Sequence, residues 1–191
     1  MVAYSTIVWN DKIVKPSNRL LIMVIAMLFS LFGCKNTVKP PIDIVPQVNL
    51  ERFMGSWYVI ASIPTFIEKG AHNAVESYQL APDGSIATTF TFRQDSFNGP
   101  EKSFHPTGQV VDNLSNAVWK MQFIWPFKSD YRIVFLNADY SETVIGRNQR
   151  DYVWIMARKP EISDENYRKI LELLDRQGYD VQQIVKVPQR W

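Results

Sequence analysis

The chain has 191 residues, of which 46% are apolar, 21% charged and 13% aromatic. That suits one domain, or one domain with a tail, able to bury a sizeable core, and it excludes a disordered or collagen-like chain. A net charge of only +2 excludes a strongly basic nucleic-acid binder, and the single cysteine excludes an intrachain disulfide, a thiolate zinc cluster and an iron–sulfur site.

Residues 20–33 read LLIMVIAMLFSLFG, with no charged side chain. The run is shorter than the about 20 residues of a membrane span and fits the apolar region of a signal peptide. Lys12, Lys15 and Arg19 supply its positive flank. It is apolar all round, whereas a core helix shows a periodic stripe. The run ends in Leu31-Phe32-Gly33-Cys34. This string resembles the lipobox of bacterial lipoproteins, with Phe32 where a smaller residue is usual. The resemblance implies cleavage before Cys34 and acylation of its thiol. The expected division is a signal peptide at 1–33, an acylated N-terminal linker at 34–48 and a folded domain at 49–191. Cleavage removes three cations and Asp11, leaving eighteen basic residues (21 less three) and eighteen acidic ones (19 less one). Lys35, directly after the cysteine, resembles lipoproteins sorted to the outer membrane. Two or three acyl chains hold a protein at a bilayer where a single chain binds marginally.

Residues 35–48 hold three prolines and little periodicity, and read as a linker that lifts the domain off the membrane. From Asn49 onward, short alternating runs recur between turn signals such as Pro82-Asp83-Gly84 and Asn98-Gly99-Pro100. In 56–63 the alternation puts Trp57, Val59, Ala61 and Ile63 on one face. In 86–92 Ile86, Phe90 and Phe92 alternate with Ala87, Thr89 and Thr91. In 117–123 Trp119, Met121 and Phe123 alternate with Lys120 and Gln122. The strands at 131–136 and 152–158 are apolar on both faces and need an outer cover. A helix supplies it: Ser163 is its N-cap, Tyr167, Ile170, Leu171 and Leu174 form one stripe, and Gly178 ends it. The helix should lie over Val153 and Ile155, and a short strand at 184–187 should follow.

About eight strands, one late helix and a last short strand predict an all-β fold, an eight-stranded antiparallel up-and-down barrel with the helix packed outside. Three motifs sharpen this. Gly55-Ser56-Trp57, inside Phe53-Met54-Gly55-Ser56-Trp57-Tyr58, matches the Gly-x-Trp string that opens the lipocalin fold. Asn137-Ala138-Asp139-Tyr140 resembles the second lipocalin motif, with Ala138 where Thr is common. Arg158 matches the arginine of the third. Phe66-Ile67-Glu68-Lys69-Gly70, Trp125-Pro126-Phe127 and the 150–155 string RDYVWI are similar to the bacterial outer-membrane lipoprotein lipocalins of the Blc type. The resemblance spans about residues 49–190. It implies that Trp57 and Arg158 stack and plug the closed end, with spare guanidinium donors on main-chain carbonyls near the first strand.

By strand parity the inward candidates are Val59, Ala61, Tyr78, Phe90, Phe92, Trp119, Met121, Phe123, Tyr131, Ile133, Phe135, Trp154 and Met156. They describe an aromatic-rich interior without an evident buried charge pair, better suited to an acyl chain than to a sugar or nucleotide. The resemblance implies a fatty acid or lysophospholipid ligand, an anchor in the bacterial outer membrane through Cys34, and a barrel facing the periplasm. Trp125-Pro126-Phe127 reads as an apolar tip at the mouth, for lipid access or for contact with a second copy in a homodimer. The rival readings are a structural or protein-interaction lipoprotein without a dedicated ligand, and a lipid-modifying enzyme. For catalysis the residues offer little. His72 and His105 fall in loop-like segments, Asp83 and Asp95 at turns, and there is no Gly-x-Ser-x-Gly elbow, no His-x-x-x-His pair and no Gly-rich phosphate loop. No cofactor, metal or nucleic acid is expected.

Overall fold

The computed structural model describes residues 39–191; the apolar run at 20–33 and Cys34 lie outside the described residues. A single turn of helix, α1 (Leu50–Phe53), precedes strands β1 (Gly55–Ile63), β2 (Ala71–Leu80), β3 (Ile86–Gln94), β4 (Glu101–Phe104), β5 (Thr107–Val110), β6 (Val118–Ile124), β7 (Phe127–Leu136), β8 (Glu142–Gly146) and β9 (Val153–Ala157). Helix α2 (Asp164–Arg176) and a two-residue strand β10 (Val185–Lys186) follow. Neighbouring strands pair antiparallel in chain order, and β9 pairs back onto β1, which closes the sheet. Strands β4 and β5 both pair with β3 and are two halves of one strand, interrupted at Pro106, which has no N–H to give the ladder. The barrel thus has eight strands, as the turn spacing predicts.

Helix α2 starts where capping chemistry places it. Ser163 Oγ accepts from Asn166 N at 3.1 Å, Asp164 and Glu165 fill the first turn, and Gly178 adopts φ +85° just past the end. Ile170 and Leu174 are buried against Val153, Ile155 and Val144, so the apolar stripe covers the outer face of β8 and β9.

Two bulges change which side chains enter the barrel. Between Val59 and Ala61, β1 spends two residues where β9 spends one, so Ile60, Ala61 and Ile63 all face the helix side. Between Ile133 and Phe135, β7 does the same against β8, and Val134 and Phe135 both turn outward. Ala61, Ile63 and Phe135 are therefore not interior residues, because unbroken alternation cannot register an inserted residue. The freed backbone groups find partners in the C-terminal segment. Val187 N donates to Ile60 O at 2.9 Å, and Gln189 Nε2 donates to Val59 O at 2.8 Å and to Ala74 O at 3.1 Å.

Residues 39–48 correct the linker reading. Ile42 and Val48 are buried, Val45 N donates to Ile133 O at 3.0 Å, and Val48 N donates to Ser115 O at 2.7 Å. Arg150 Nη1 bonds Pro40 O at 2.8 Å. This segment is strapped to the barrel wall by main-chain hydrogen bonds and apolar burial.

The closed end is filled, not hollow. Phe53, Trp57, Tyr78, Trp119 and Tyr131 form a continuous aromatic cluster, with centroid separations from 5.1 Å for Phe53–Trp57 to 6.4 Å for Tyr78–Tyr131. The Arg158 guanidinium carbon lies 3.7 Å above the Trp57 ring. Its Nη1 donates to Ser56 O at 2.8 Å, and its Nη2 bonds the carbonyls of Arg52, Phe53 and Met54 at 3.0, 2.9 and 2.8 Å. Trp57 Nε1 donates to Phe53 O at 2.9 Å, so the indole carries no unmet donor into the core. Gly55 (φ +93°) leaves room for this: a Cβ there would stand 3.3 Å from Arg158 Nη1. Tyr140, whose hydroxyl accepts from Asn49 N at 2.9 Å, and Asp139, which caps Ser141, hold the adjoining turn. Trp57→Ala is expected to lower unfolding free energy by about 3–5 kcal/mol, read from the denaturant midpoint; an unchanged midpoint would contradict the indole's place in the core.

Candidate ligand-binding cavity

Above the aromatic floor the barrel opens into a cavity of about 400 Å³. This falls in the size range of small-molecule sites. Its apolar wall comes from Phe90 on β3, Phe104 on β4, Met121 and Phe123 on β6, Tyr131 on β7, and Trp154 on β9. Its rim comes from Thr65–Glu68 in the β1–β2 loop, His105 and Pro106 at the β4–β5 break, and Arg147 and Tyr152 in the β8–β9 loop. Gly108 on β5 keeps the wall thin beside Met121: a Cβ there would meet Met121 Sδ at 2.8 Å.

The thirteen inward candidates divide by depth. Phe90, Met121, Phe123, Tyr131 and Trp154 line the cavity. Val59, Tyr78, Phe92, Trp119, Ile133 and Met156 are buried in the interior core and pack against one another. Ala61 and Phe135 are outside, for the reason given above. Parity tells inside from outside, but it carries no information on height along the barrel axis, which separates floor from cavity.

The cavity also holds polar groups that composition hides. Glu68 is nearly enclosed; its Oε1 accepts from Trp154 Nε1 at 2.8 Å and its Oε2 from Thr65 N at 2.7 Å. Glu76 on β2 is only 5% exposed and also lines the cavity. The aromatic-rich interior thus also carries two buried carboxyls, and no salt bridge pairs either of them among the described residues. Ala74, Glu76 and Tyr78 alternate inward on β2, so the same parity that selects Tyr78 also selects Glu76. A carboxyl at such a position is uncommon, because burying its charge is costly. Burial pushes the Glu76 carboxyl up to about 8, with the neighbouring Tyr78 hydroxyl opposing the rise and the nearby Glu68 charge adding to it. The hydroxyls of Tyr78 and Tyr131 share a hydrogen bond, and burial raises both phenols well above their ordinary range.

The remaining cavity charges are paired. Asp130 meets Arg132 at 3.0 Å and Lys120 at 3.7 Å, and Arg147 stands 3.4 Å from Asp151 with its guanidinium over the Tyr152 ring. Of the two histidines, His105 is exposed and bonds Ser103 Oγ at 3.2 Å. His72 lies in β2, not in a loop, with Nδ1 on Gly70 O at 2.9 Å. Among the described residues no group of three or more His, Cys, Asp or Glu is placed to hold a metal ion. At the open end Phe66, Trp125 and Phe127 are 82%, 83% and 75% exposed, an apolar rim.

A barrel of eight strands, plugged by an arginine on a tryptophan at one end and hollow at the other, is matched over residues 48–189 by the model of the lipocalin-like domain family. The chain belongs to the lipocalin family. Among similar proteins, temperature-induced lipocalin-1 of Arabidopsis thaliana is 32% identical over 80% of this chain and 86% of its own length. Outer membrane lipoprotein Blc of Escherichia coli (strain K12) is 28% identical over 90% of this chain and 98% of its own. Apolipoprotein D of Macaca fascicularis is 24% identical over 89% and 95%. Insecticyanin from the tobacco hornworm Manduca sexta shares the fold at a TM-score of 0.61 and 12% identity, over 78% of this chain and 84% of that one. The motif residues Gly55, Trp57, Asp139, Tyr140 and Arg158 thus all sit at the closed end of this lipocalin, remote from the cavity mouth.

Glu76 makes the stability of this lipocalin pH-dependent with a definite sign. Its folded value, about 8, lies above the ordinary 4.5, so the folded state binds more proton than the unfolded one between them, and stability falls as pH rises through that window. Glu76→Gln removes the ionisation. Thermal melts should show the variant gaining on wild type as pH passes from below about 4.5 to above about 8; parallel curves would refute the burial of this carboxyl.

Proposed function

We propose that this lipocalin holds a fatty acid or a lysophospholipid in its cavity, for storage or transport at the bacterial outer membrane, by binding without chemistry. The observation that carries the reading is the cavity: about 400 Å³, walled by Phe90, Phe104, Met121 and Trp154, opening between exposed aromatic residues. Such a wall stabilises an acyl chain through burial of apolar surface, at about 25 cal/mol per Å². His72 bonds a main-chain carbonyl, and the exposed His105 meets the hydroxyls of Ser103 and Thr89 with no carboxylate to orient it among the described residues, which supports binding over turnover.

The anchor belongs to the same proposal. Cys34 behind its apolar run is the acylation point, and the Blc proteins similar to this chain are outer membrane lipoproteins by name. Among the described residues no helix is long and apolar enough to cross a membrane. Acyl chains on Cys34 would hold the barrel at the membrane surface, facing the periplasm. The exposed Trp125 and Phe127 favour a second use of the rim, as a contact between two copies.

Organic extraction of the protein purified from its own host, followed by mass spectrometry, should release a fatty acid or lysophospholipid in stoichiometric amount. An empty barrel that also fails to bind a fluorescent fatty acid would overturn the reading. Cys34→Ser should move the protein from the membrane fraction to the soluble or unprocessed one; unchanged partitioning and mass would remove the anchor.

A further inference from the structure

The cavity's polar floor is more specific than an acyl-chain slot requires. Glu76, Tyr78 and Tyr131 are all at least nine-tenths buried and lie in a row from β2 to β7. Tyr131 and Tyr78 share a hydrogen bond through their hydroxyls, and Glu76, two residues before Tyr78 on the same face of β2, has no side-chain hydrogen-bond partner among the described residues. With Glu76 neutral, the row holds three O–H donors joined by one hydrogen bond. Whichever phenol donates to the other, the O–H of Glu76, at one end of the row, is left over. Both ends line the cavity. Among the described residues neither has a further side-chain acceptor, whereas Glu68, the other carboxyl of the cavity, has both oxygens occupied by protein donors. A buried donor without an acceptor costs free energy until something accepts from it.

We infer that the Glu76–Tyr78–Tyr131 row is a ligand-recognition site that donates one hydrogen bond to an oxygen at the deep end of the bound chain. The cavity then favours chains bearing a hydroxyl, carbonyl or undissociated carboxyl group over plain hydrocarbon, and releases them when Glu76 loses its proton. Ionised Glu76 has no O–H to give, so this donor vanishes and a charge faces the ligand instead. This inference rests on the lipid-binding reading and names the ligand class within it.

The groups that face Glu76 set the direction of the switch. Glu68, from the β1–β2 loop, opposes its ionisation, and the two buried phenols stay neutral beside it. Around the wall, Asp130 is matched by Arg132 and Lys120, and Arg147 by Asp151, while His105 is exposed and Tyr152 packs under Arg147. No cation is paired with Glu76 among the described residues, so only the Tyr78 hydroxyl favours its charged form, and burial outweighs it.

The test uses the delipidated full chain and two neutral probes of equal chain length, dodecanol and chlorododecane, followed by displacement of a fluorescent fatty acid. Wild type should bind dodecanol about tenfold more tightly, the size of one net hydrogen bond. That preference should disappear as pH passes about 8. Glu76→Gln, which keeps an N–H donor, should retain the preference and lose the alkaline fall; Glu76→Leu should bind both probes alike. Equal affinities in wild type, or an alkaline fall that persists in Glu76→Gln, would overturn the inference and leave lipid binding standing. Tightest binding of dodecylamine, growing with pH, would also overturn it by making Glu76 a counter-ion. Failure of every probe, the fluorescent fatty acid included, would overturn the lipid reading and this inference with it. The carbon resonance of the Glu76 carboxyl in ligand-free protein gives a separate check: titration in the ordinary carboxylate range would overturn the inference whatever binds.

Discussion

The guanidinium of Arg158 is the constraint on which the barrel depends. It stands at the end of the last barrel strand and bonds four carbonyls between Arg52 and Ser56, at the start of the first. It thereby ties the two strands that must meet for the sheet to close. Its flat face covers the Trp57 ring, so one group both joins the ends and seals the floor. Only a planar fork of fixed donors can serve these carbonyls while stacking on an indole. Gly55 is needed for the same reason, since its positive φ and missing Cβ leave the space that the fork occupies.

With the closed end filled, the hollow is confined to the other half. Phe53, Trp57, Tyr78 and Trp119 occupy the lower barrel, and the cavity begins where Tyr131 ends. The bulges have a part in this. By turning Ala61 and Phe135 outward they thicken the layer under α2, and the C-terminal segment then satisfies the carbonyls that the β1 bulge exposes. The terminal segments thus serve the sheet. One straps the wall from residue 39 onward, and the other bonds Val59, Ile60 and Ala74 from outside. Stability concentrates at the plugged end, while the open end carries exposed aromatic residues and paired surface charges.

The polar floor gives the cavity a character that its aromatic wall alone would lack. A neutral carboxyl among phenols is a donor in an apolar setting, where a hydrogen bond is strong and an unmatched one is costly. Glu68 and Glu76 show how position decides the role of one chemical group. Glu68, near the rim, meets an indole N–H and a backbone N–H. Glu76, deeper, has only a tyrosine beside it and is kept neutral by burial.

Alternation, turn residues and caps are local properties, and they were enough to identify the strands and the helix with its Ser163 cap, while Gly55, Trp57 and Arg158 stood out by their resemblance to lipocalin motifs. Nine of the thirteen inward candidates are buried inside the barrel, Trp154 is half-buried in its wall and Phe123 stands at its mouth, because strand parity survives wherever the ladder is regular. Glu76 was equally legible by parity and escaped notice through its chemistry. Ala61 and Phe135 were not legible, because a bulge is set by pairing with a distant strand. Nor was the docking of residues 39–48, whose partners Ser115, Ile133 and Asn148 are far along the chain. The sequence by itself determined that the chain makes a barrel with an arginine and a tryptophan at its closed end. Only the tertiary structure decided how much of that barrel is hollow and which buried groups face the hollow. Depth along a barrel axis depends on how strands from the whole chain stagger against one another, and no local pattern contains that.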